Sequence, residues 1–348
     1  MTPAGQRAPA RPWREAWQEA LYGEGGFYRR PEGPAGHFRT ASHAAPDLLA
    51  AAVLRLASAA GCTRVVDVGA GRGELLAALA SLPGVAAPGR PHLLGVDVVP
   101  RPTGLPASVA WSTQLPDDLH HTLLLAWELL DAVPCDVAEA DARGRLRLVE
   151  VDASGAERAG RPLGGPELDW CGRWWPAPWP PGTRIEVGTT RDAWWADATG
   201  RLASGLAVAV DYDHPRAARP SGGSLTGFRA GRQVLPVPDG TTDVTAHVAL
   251  DAVAAAVGGR TSLLVRQHRA LAALGVTGRR PPAAAATTDP LGYLRALSSA
   301  GAAAELLEPG GLGGFGWLLS AAGPDAERLL GSWSHLADPP PAVDPQDR

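Results

Sequence analysis

The 348-residue sequence predicts an α/β fold: a mostly parallel sheet, a helical N-terminal region and an aromatic, proline-rich insertion. Three observations predict it. Short apolar runs alternate with helix-periodic segments, which is the pattern of strands joined by crossover helices. One of those runs, VVDVGAGRGELL (65–76), breaks into a glycine loop and opens a helix. Six of the twelve tryptophans gather among prolines between residues 151 and 204, where the alternation stops.

The elements follow in order. PDLLAAAVLRLASAA (46–60) sets Leu48, Leu49, Ala52, Val53 and Leu56 on one helical face. TRVVDVG is the first strand, ELLAALASL a helix, HLLGVDVV the second strand, SVAW a short third, and HTLLLAWELL a fourth that ends at Asp131. After the insertion, GLAVAVDYD (205–213) resumes as a buried strand. A glycine-rich loop then runs through SLTGFRAGRQ to TDVTAHVALDAVAAAVG, read as a helix capped by Thr242 or Asp243. TSLLVRQH, a linker at GRRPPAAAATTDP, the helix PLGYLRALSSAG and the strand GFGWLLSAAG complete the pattern, with GLGGFG as the turn before that strand. The expected divisions are 1–60, a tail and helical lid region; 61–150, the first half of the sheet domain; 151–204, the insertion; 205–323, the second half with substrate-side loops; and 324–348, a tail.

Composition excludes several function classes. A net charge of -4 and a pI near 6.1 give no general pull toward nucleic acid or an anionic membrane. No stretch reaches the roughly 18 apolar residues of a spanning helix, and the first residues carry no signal-peptide core. Cys62, Cys135 and Cys171 are odd in number and lack metal-ligand spacing, so a reduced, cytoplasmic setting without a metal is expected. Glycine (42) and proline (33) are abundant, which predicts long ordered loops.

The glycine spacing narrows the cofactor. A dinucleotide fingerprint, G-x-G-x-x-G, places its third glycine at position 74, where this sequence has Glu74. The loop reads D-x-G-x-G-x-G instead, from Asp67 through Gly69, Gly71 and Gly73. It resembles the first motif of the class I methyltransferases, Rossmann-like enzymes that use S-adenosylmethionine (SAM). In that pattern an acid at Asp67 lies near the ligand's ammonium group, and the acid ending the second strand, Asp97, accepts hydrogen bonds from the ribose hydroxyls. A nicotinamide enzyme also uses such a second acid, so Asp97 alone does not discriminate. The competing reading of the loop is a tight turn without a ligand.

Further stretches resemble the MidA-type methyltransferases, a family that includes a mitochondrial complex I assembly factor acting on protein arginine. They are GGFYRRPEGPAGHFRTAS, VVDVGAGRGELL, AWELLDAVP, AVDYD, SLTGFRAGRQ and DVTAHVALDAV, in that order over most of the chain. The resemblance implies SAM as cofactor, an arginine of a partner protein as acceptor, and a place near the cofactor for Thr40. Two departures stand out. Trp127 occupies the position where the family has asparagine before Glu128, Asp131 and Pro134, and Phe38, Thr40 and Ala41 lack the following Pro-Glu.

Methyl transfer is an in-line displacement, so the protein's task is chiefly alignment. A guanidinium acceptor suits bidentate carboxylates that orient one nitrogen. Glu128, at the carboxyl end of the fourth strand, is the first candidate; Asp131 follows, and either Glu150 or Asp211 is a second acid. For Glu128 and Asp131 the bland alternative is capping of the next turn. His247 is a candidate proton acceptor or acceptor contact, with helix capping as its alternative. Asp243 is equally a helix cap or a ligand contact, and Tyr212 either lines the pocket or joins the core. The tryptophan cluster reads as the insertion's own core ahead of a partner surface. Three functions remain in view: a protein-arginine methyltransferase, a SAM-binding assembly protein without transfer, and a methyltransferase acting on a small molecule.

Overall fold

The computed structural model describes residues 9–30, 45–82 and 91–337. Strand β1 (Arg11–Pro12) leads into the helix Trp13–Tyr22, and the helix Pro46–Ala59 precedes β2 (Arg64–Val68). The glycine loop and the helix Glu74–Ser81 follow, then β3 (His92–Val96), β4 (Val109–Ser112) and β5 (Thr122–Trp127). Between β5 and β10 (Gly205–Asp211) lie β6 (Asp136–Ala140), β7 (Leu146–Val151), β8 (Glu157–Pro162), the helix Gly165–Trp174, β9 (Arg184–Val187) and the helix Thr189–Gly200. A short antiparallel set, β11 (Thr226–Arg229), β12 (Arg232–Val234) and β13 (Asp243–Thr245), comes next. The helix Leu250–Ala256, β14 (Ser262–Arg266), the helices Gln267–Ala273 and Pro290–Leu307, β15 (Gly316–Ala322) and the helix Pro324–Trp333 end the described chain.

Seven strands form the main sheet in the order β14-β15-β10-β5-β2-β3-β4. Neighbours from β10 to β4 are parallel, while β15 is antiparallel to both β10 and β14. Every residue of β5, β10 and β15 is buried, because helices cover both faces; this is why these strands read as unbroken apolar runs. Alternation still sorts their side chains. Leu123, Leu125, Trp127, Val208 and Val210 pack on the face covered by the helices at 46–59, 74–81 and 324–333, and Leu124, Ala126, Ala207 and Ala209 face those at 189–200 and 250–256. The strand order reverses between β2 and β5, and the crevice at such a switch point is where open α/β sheets bind ligands.

A second sheet, β1-β7-β6-β9 with β8 on β7, lies entirely outside the first. Its strands correct the expected boundary at 150: β6 and β7 already belong to the interruption, which starts directly after β5. Trp170 and Trp175 are buried within its packing, and Trp195 is buried against the main sheet. The expected divisions at both ends also change. The helix Pro46–Ala59 covers the main sheet, whereas Trp13–Tyr22 packs with the second sheet and β13. Residues 324–333 are no tail: Ala326, Leu329, Leu330 and Trp333 are buried against the main core. Among the described residues no helix is long and apolar enough to cross a membrane, and all three cysteines are free and buried.

Candidate functional site at the carboxyl ends of the parallel strands

The glycine loop is shaped by its backbone. Gly69, Gly71 and Gly73 have φ of 72°, 57° and 77°, a left-handed conformation that only glycine adopts freely. Their reasons differ. A Cβ on Gly69 would come within 2.7 Å of Leu129 and one on Gly73 within 2.7 Å of Leu105, whereas on Gly71 the nearest atom is Glu74 Oε2 at 3.8 Å. Gly71 therefore borders open space, into which a larger side chain would project.

That space is a cavity of about 1940 Å³, lined by Asp67, Gly71, Asp97, Glu128, Asp131 and His247 among others. Gly69 also lines it; Gly73 does not, and instead serves as the N-cap of the helix Glu74–Ser81. Asp97 is fixed by two amides, Gly71 N donating to Oδ2 at 2.8 Å and Val99 N to Oδ1 at 3.1 Å. Burial raises its pKa against the effect of these donors. Asp67 is 5% exposed, and no described residue donates a hydrogen bond to its side chain. Burial, reinforced by the charges of Asp97 and Glu74, pushes its pKa up to about 7. A buried carboxylate open only to the cavity is an energetic liability in the free protein, and a cationic ligand group relieves it. With Asp97 presenting oxygens for hydroxyls and Gly71 leaving room, the residues fit an aminoacyl nucleoside.

The far wall is acidic. Glu128 follows β5 with φ of 52°, a costly conformation for a residue with a side chain, and its N–H donates to Val210 O at 2.8 Å. Asp131, in the turn Leu130–Ala132, donates its N–H to Asp211 Oδ2 at 3.1 Å and accepts from Thr245 Oγ1 at 2.7 Å on Oδ2. Among the described residues its Oδ1 is buried without a partner. Asp243 is 3% exposed and accepts a hydrogen bond from Tyr28 Oη at 3.0 Å. Burial raises the pKa of Asp131, Asp211 and Asp243, and the Asp131 charge raises the latter two further. Tyr22 and Tyr28, ring centroids 5.5 Å apart, close this side, and Tyr22 Oη donates to Ala132 O at 3.1 Å.

Of the two second acids weighed from the sequence, Asp211 lies next to the site, fully buried behind Asp131 and outside the cavity lining. Glu150 sits on β7 and pairs with Arg158 at 2.7 Å. Asp243 and Thr242 cap no helix, since 243–245 is a strand and the helix starts at Leu250 behind Ala249. The apolar periodicity of VTAHVALDAV held no signal for that break. Tyr212 is 41% exposed and lines the cavity; its ring stacks on His247 at 5.6 Å. His247 is three residues ahead of the helix and caps nothing; partial burial and the Arg191 charge lower its pKa, against Glu186 and Asp131. His214 lies 6.4 Å from His247, ring to ring, with its pKa pushed down to about 3 by burial and Arg219. Thr40 lies outside the described residues. Among the described residues no group of three or more His, Cys, Asp or Glu side chains has metal-holding geometry.

Sequence reasoning missed Arg191 and Glu186, both hidden in the interruption. Arg191, 2% exposed, donates to Val133 O at 3.1 Å, Asp131 O at 2.8 Å and His247 O at 2.9 Å, with its guanidinium 5.6 Å from the Trp17 ring. Glu186 accepts from Ser224 N at 2.8 Å and Leu225 N at 3.0 Å. Nothing local in TRDAWW marks that role, because its partners are backbone carbonyls far away in sequence.

A family model described as "Putative S-adenosyl-L-methionine-dependent methyltransferase" matches residues 86–267. Among solved structures, a superfamily member from Burkholderia thailandensis bound to S-adenosyl-homocysteine is similar, with a TM-score of 0.74 and 26% identity, covering 91% of this chain and 90% of that one. A native structure of an uncharacterized superfamily protein from the same organism gives a TM-score of 0.72 and 26% identity over the same shares. No curated protein matches the chain.

Proposed function

Because the chain belongs to this family of S-adenosyl-L-methionine-dependent methyltransferases, we propose that it moves a methyl group from SAM to an arginine of a partner protein. SAM supplies an electrophilic methyl on a sulfonium and leaves as the neutral thioether. Asp67 receives the ammonium of the methionine part, Asp97 the ribose hydroxyls, and Gly71 keeps the loop clear. Glu128 and Asp131 face the acceptor side, where carboxylates orient the guanidinium fork and hold its positive charge. The acceptor nitrogen gives up a proton as it is methylated, and His247, kept neutral by its lowered pKa, is placed to take it.

The observation that carries the arginine reading is the acidic wall. Glu128, Asp131 and Asp243 gather at one end of a cavity, with Asp211 buried behind Asp131, and like charges so close are stabilised by a cation among them. A second reading, a SAM-binding assembly protein without transfer, is favoured by Trp127. Its ring is buried and meets Trp317 edge-on at 5.2 Å, so the amide that the family resemblance expects there is replaced by core.

Labelled SAM incubated with the protein and a lysate of cells lacking this gene tests the proposal. Label in a protein band that hydrolyses to methylated arginine is the expected result. Label confined to small molecules moves the acceptor class, and no label with S-adenosyl-homocysteine still bound by calorimetry favours the second reading.

A further inference from the structure

The His247 peptide is held at both ends. Its carbonyl accepts from Arg191 Nη1 at 2.9 Å, and its N–H donates to Ser224 Oγ at 3.0 Å. Ser224 Oγ lies 3.2 Å from Glu186 Oε2 and donates to it. Both anchors therefore lead to one short stretch of the interruption, Glu186 on β9 and Arg191 on the helix Thr189–Gly200. The same stretch grips the turn after β5: Arg191 reaches Val133 O and Asp131 O, and Thr190 Oγ1 donates to Pro134 O at 2.7 Å. Asp131 and His247 belong to different elements, and Arg191 is bonded to the carbonyls of both.

We infer that Arg191 is a positioning residue which sets Asp131 and His247 in mutual register, so that the interruption aligns the acceptor side of the site. The inference rests on the transfer reading for its activity arm only. Three carbonyls in different directions need a planar fork with five donors; a lysine ammonium supplies charge from a single point and cannot reach all three. Arg191 makes none of the contacts to the glycine loop or Asp97, so cofactor binding is independent of it.

Arg191 also carries the one cation in this wall that acts on its titrating groups from the interruption. His247 faces Glu186, Asp131, Arg191, the Tyr212 ring and the His214 ring. Around Asp131 stand Asp211, Asp243, Tyr22, Tyr28, His247 and Arg191. Removing the guanidinium charge raises the pKa of His247 and of the acids, because Arg191 lowers each of His247, Asp131 and Asp211.

The test uses the full chain as Arg191→Lys and Arg191→Met. Three readouts are taken: methyl transfer in the lysate assay, S-adenosyl-homocysteine affinity by calorimetry, and NMR titration of ¹³C-labelled histidine with His247 assigned by substitution. Arg191→Lys is expected to keep affinity within about twofold and the His247 titration near that of wild type, while transfer falls at least tenfold without a change in KM for SAM. Arg191→Met is expected to lose transfer further and to move the His247 titration to higher pH. Loss of affinity in step with transfer in both variants would reduce Arg191 to a fold-stabilising residue and overturn the inference. So would full transfer by Arg191→Lys, or an unmoved His247 titration in folded Arg191→Met. If the wild type transfers nothing, the transfer reading fails alone, and the His247 titration and its ring shifts still decide whether Arg191 sets this residue's environment.

Discussion

Gly71 N–H donates to Asp97 Oδ2 at 2.8 Å, tying the loop after the first parallel strand to the acid that ends the second. The bond aims the Asp97 carboxylate across the crevice, and it exists because Gly71 takes a φ of 57°. Size and conformation at position 71 are thus separable. Gly71→Ala keeps the fold, loses about 1 kcal/mol through the left-handed backbone and weakens S-adenosyl-homocysteine binding modestly. Gly71→Arg projects into the cavity beside the glycine loop and abolishes binding, which calorimetry on folded protein checks.

Asp67 sets a pH dependence. Its pKa, pushed up to about 7 in the free protein, must fall when an ammonium binds beside it, so binding releases a proton below that pH. Affinity for S-adenosyl-homocysteine should decline by about tenfold per pH unit as pH drops below about 7. Stability runs the other way. A carboxyl whose folded pKa is raised contributes most below its unfolded value near 3.9 and loses that contribution as pH rises through about 7. Asp67→Asn should therefore stabilise the free protein by on the order of 2 kcal/mol at pH 8, less at pH 5, while cutting affinity more than tenfold. Thermal melts at both pH values, with calorimetry, decide it.

Glu128 holds its φ of 52° at an energetic cost, which is informative about its use. Glu128→Gln keeps cofactor affinity and slows transfer at least tenfold, since the amide retains shape and loses charge. Glu128→Gly relieves the backbone, an effect worth about 0.5–1 kcal/mol in itself, with transfer lost. A glycine variant less stable than wild type would mean that the side chain supports the fold, and the catalytic assignment would go with it.

Much of the sheet was legible because its central strands are buried on both faces and four strands run into a chemical punctuation mark: Asp67 with its glycines, Asp97, Glu128, Asp211. Asp67, Asp97 and Glu128 fall into one crevice by topology, with Asp211 buried beside it, so reading them in order was close to reading the site. The second sheet was not legible. Its strand Leu146–Val151 carries Arg147 and Glu150, and Glu157–Pro162 carries Glu157, Arg158 and Arg161, spacings without a period of two, and only pairing with Arg11–Pro12 and with one another explains them. Arg191 was hidden for a related reason: a cation satisfied by main-chain carbonyls leaves no complementary acid to find. Asp243 misled because a three-residue strand against Thr226–Arg229 has too few residues to show a period.

Trp127 gives the sharpest test of how far the family resemblance extends. Its side chain follows Leu123 and Leu125 onto the covered face of the sheet and packs on Trp317, whose indole N–H donates to Gln267 Oε1 at 3.0 Å. Trp127→Asn places an amide in that core, leaves the volume of an indole unfilled, and should lose about 3 kcal/mol; Trp127→Phe should lose about 1–2 kcal/mol by the same cavity argument. Both should bind S-adenosyl-homocysteine within a few fold of wild type, because Gly71 and Asp97 are held by bonds that do not involve position 127. Denaturant unfolding with calorimetry measures all of this. An Asn variant as stable as wild type, with faster transfer, would show that position 127 turns readily toward the acceptor. The tryptophan would then act as a brake on a competent site rather than as part of the core.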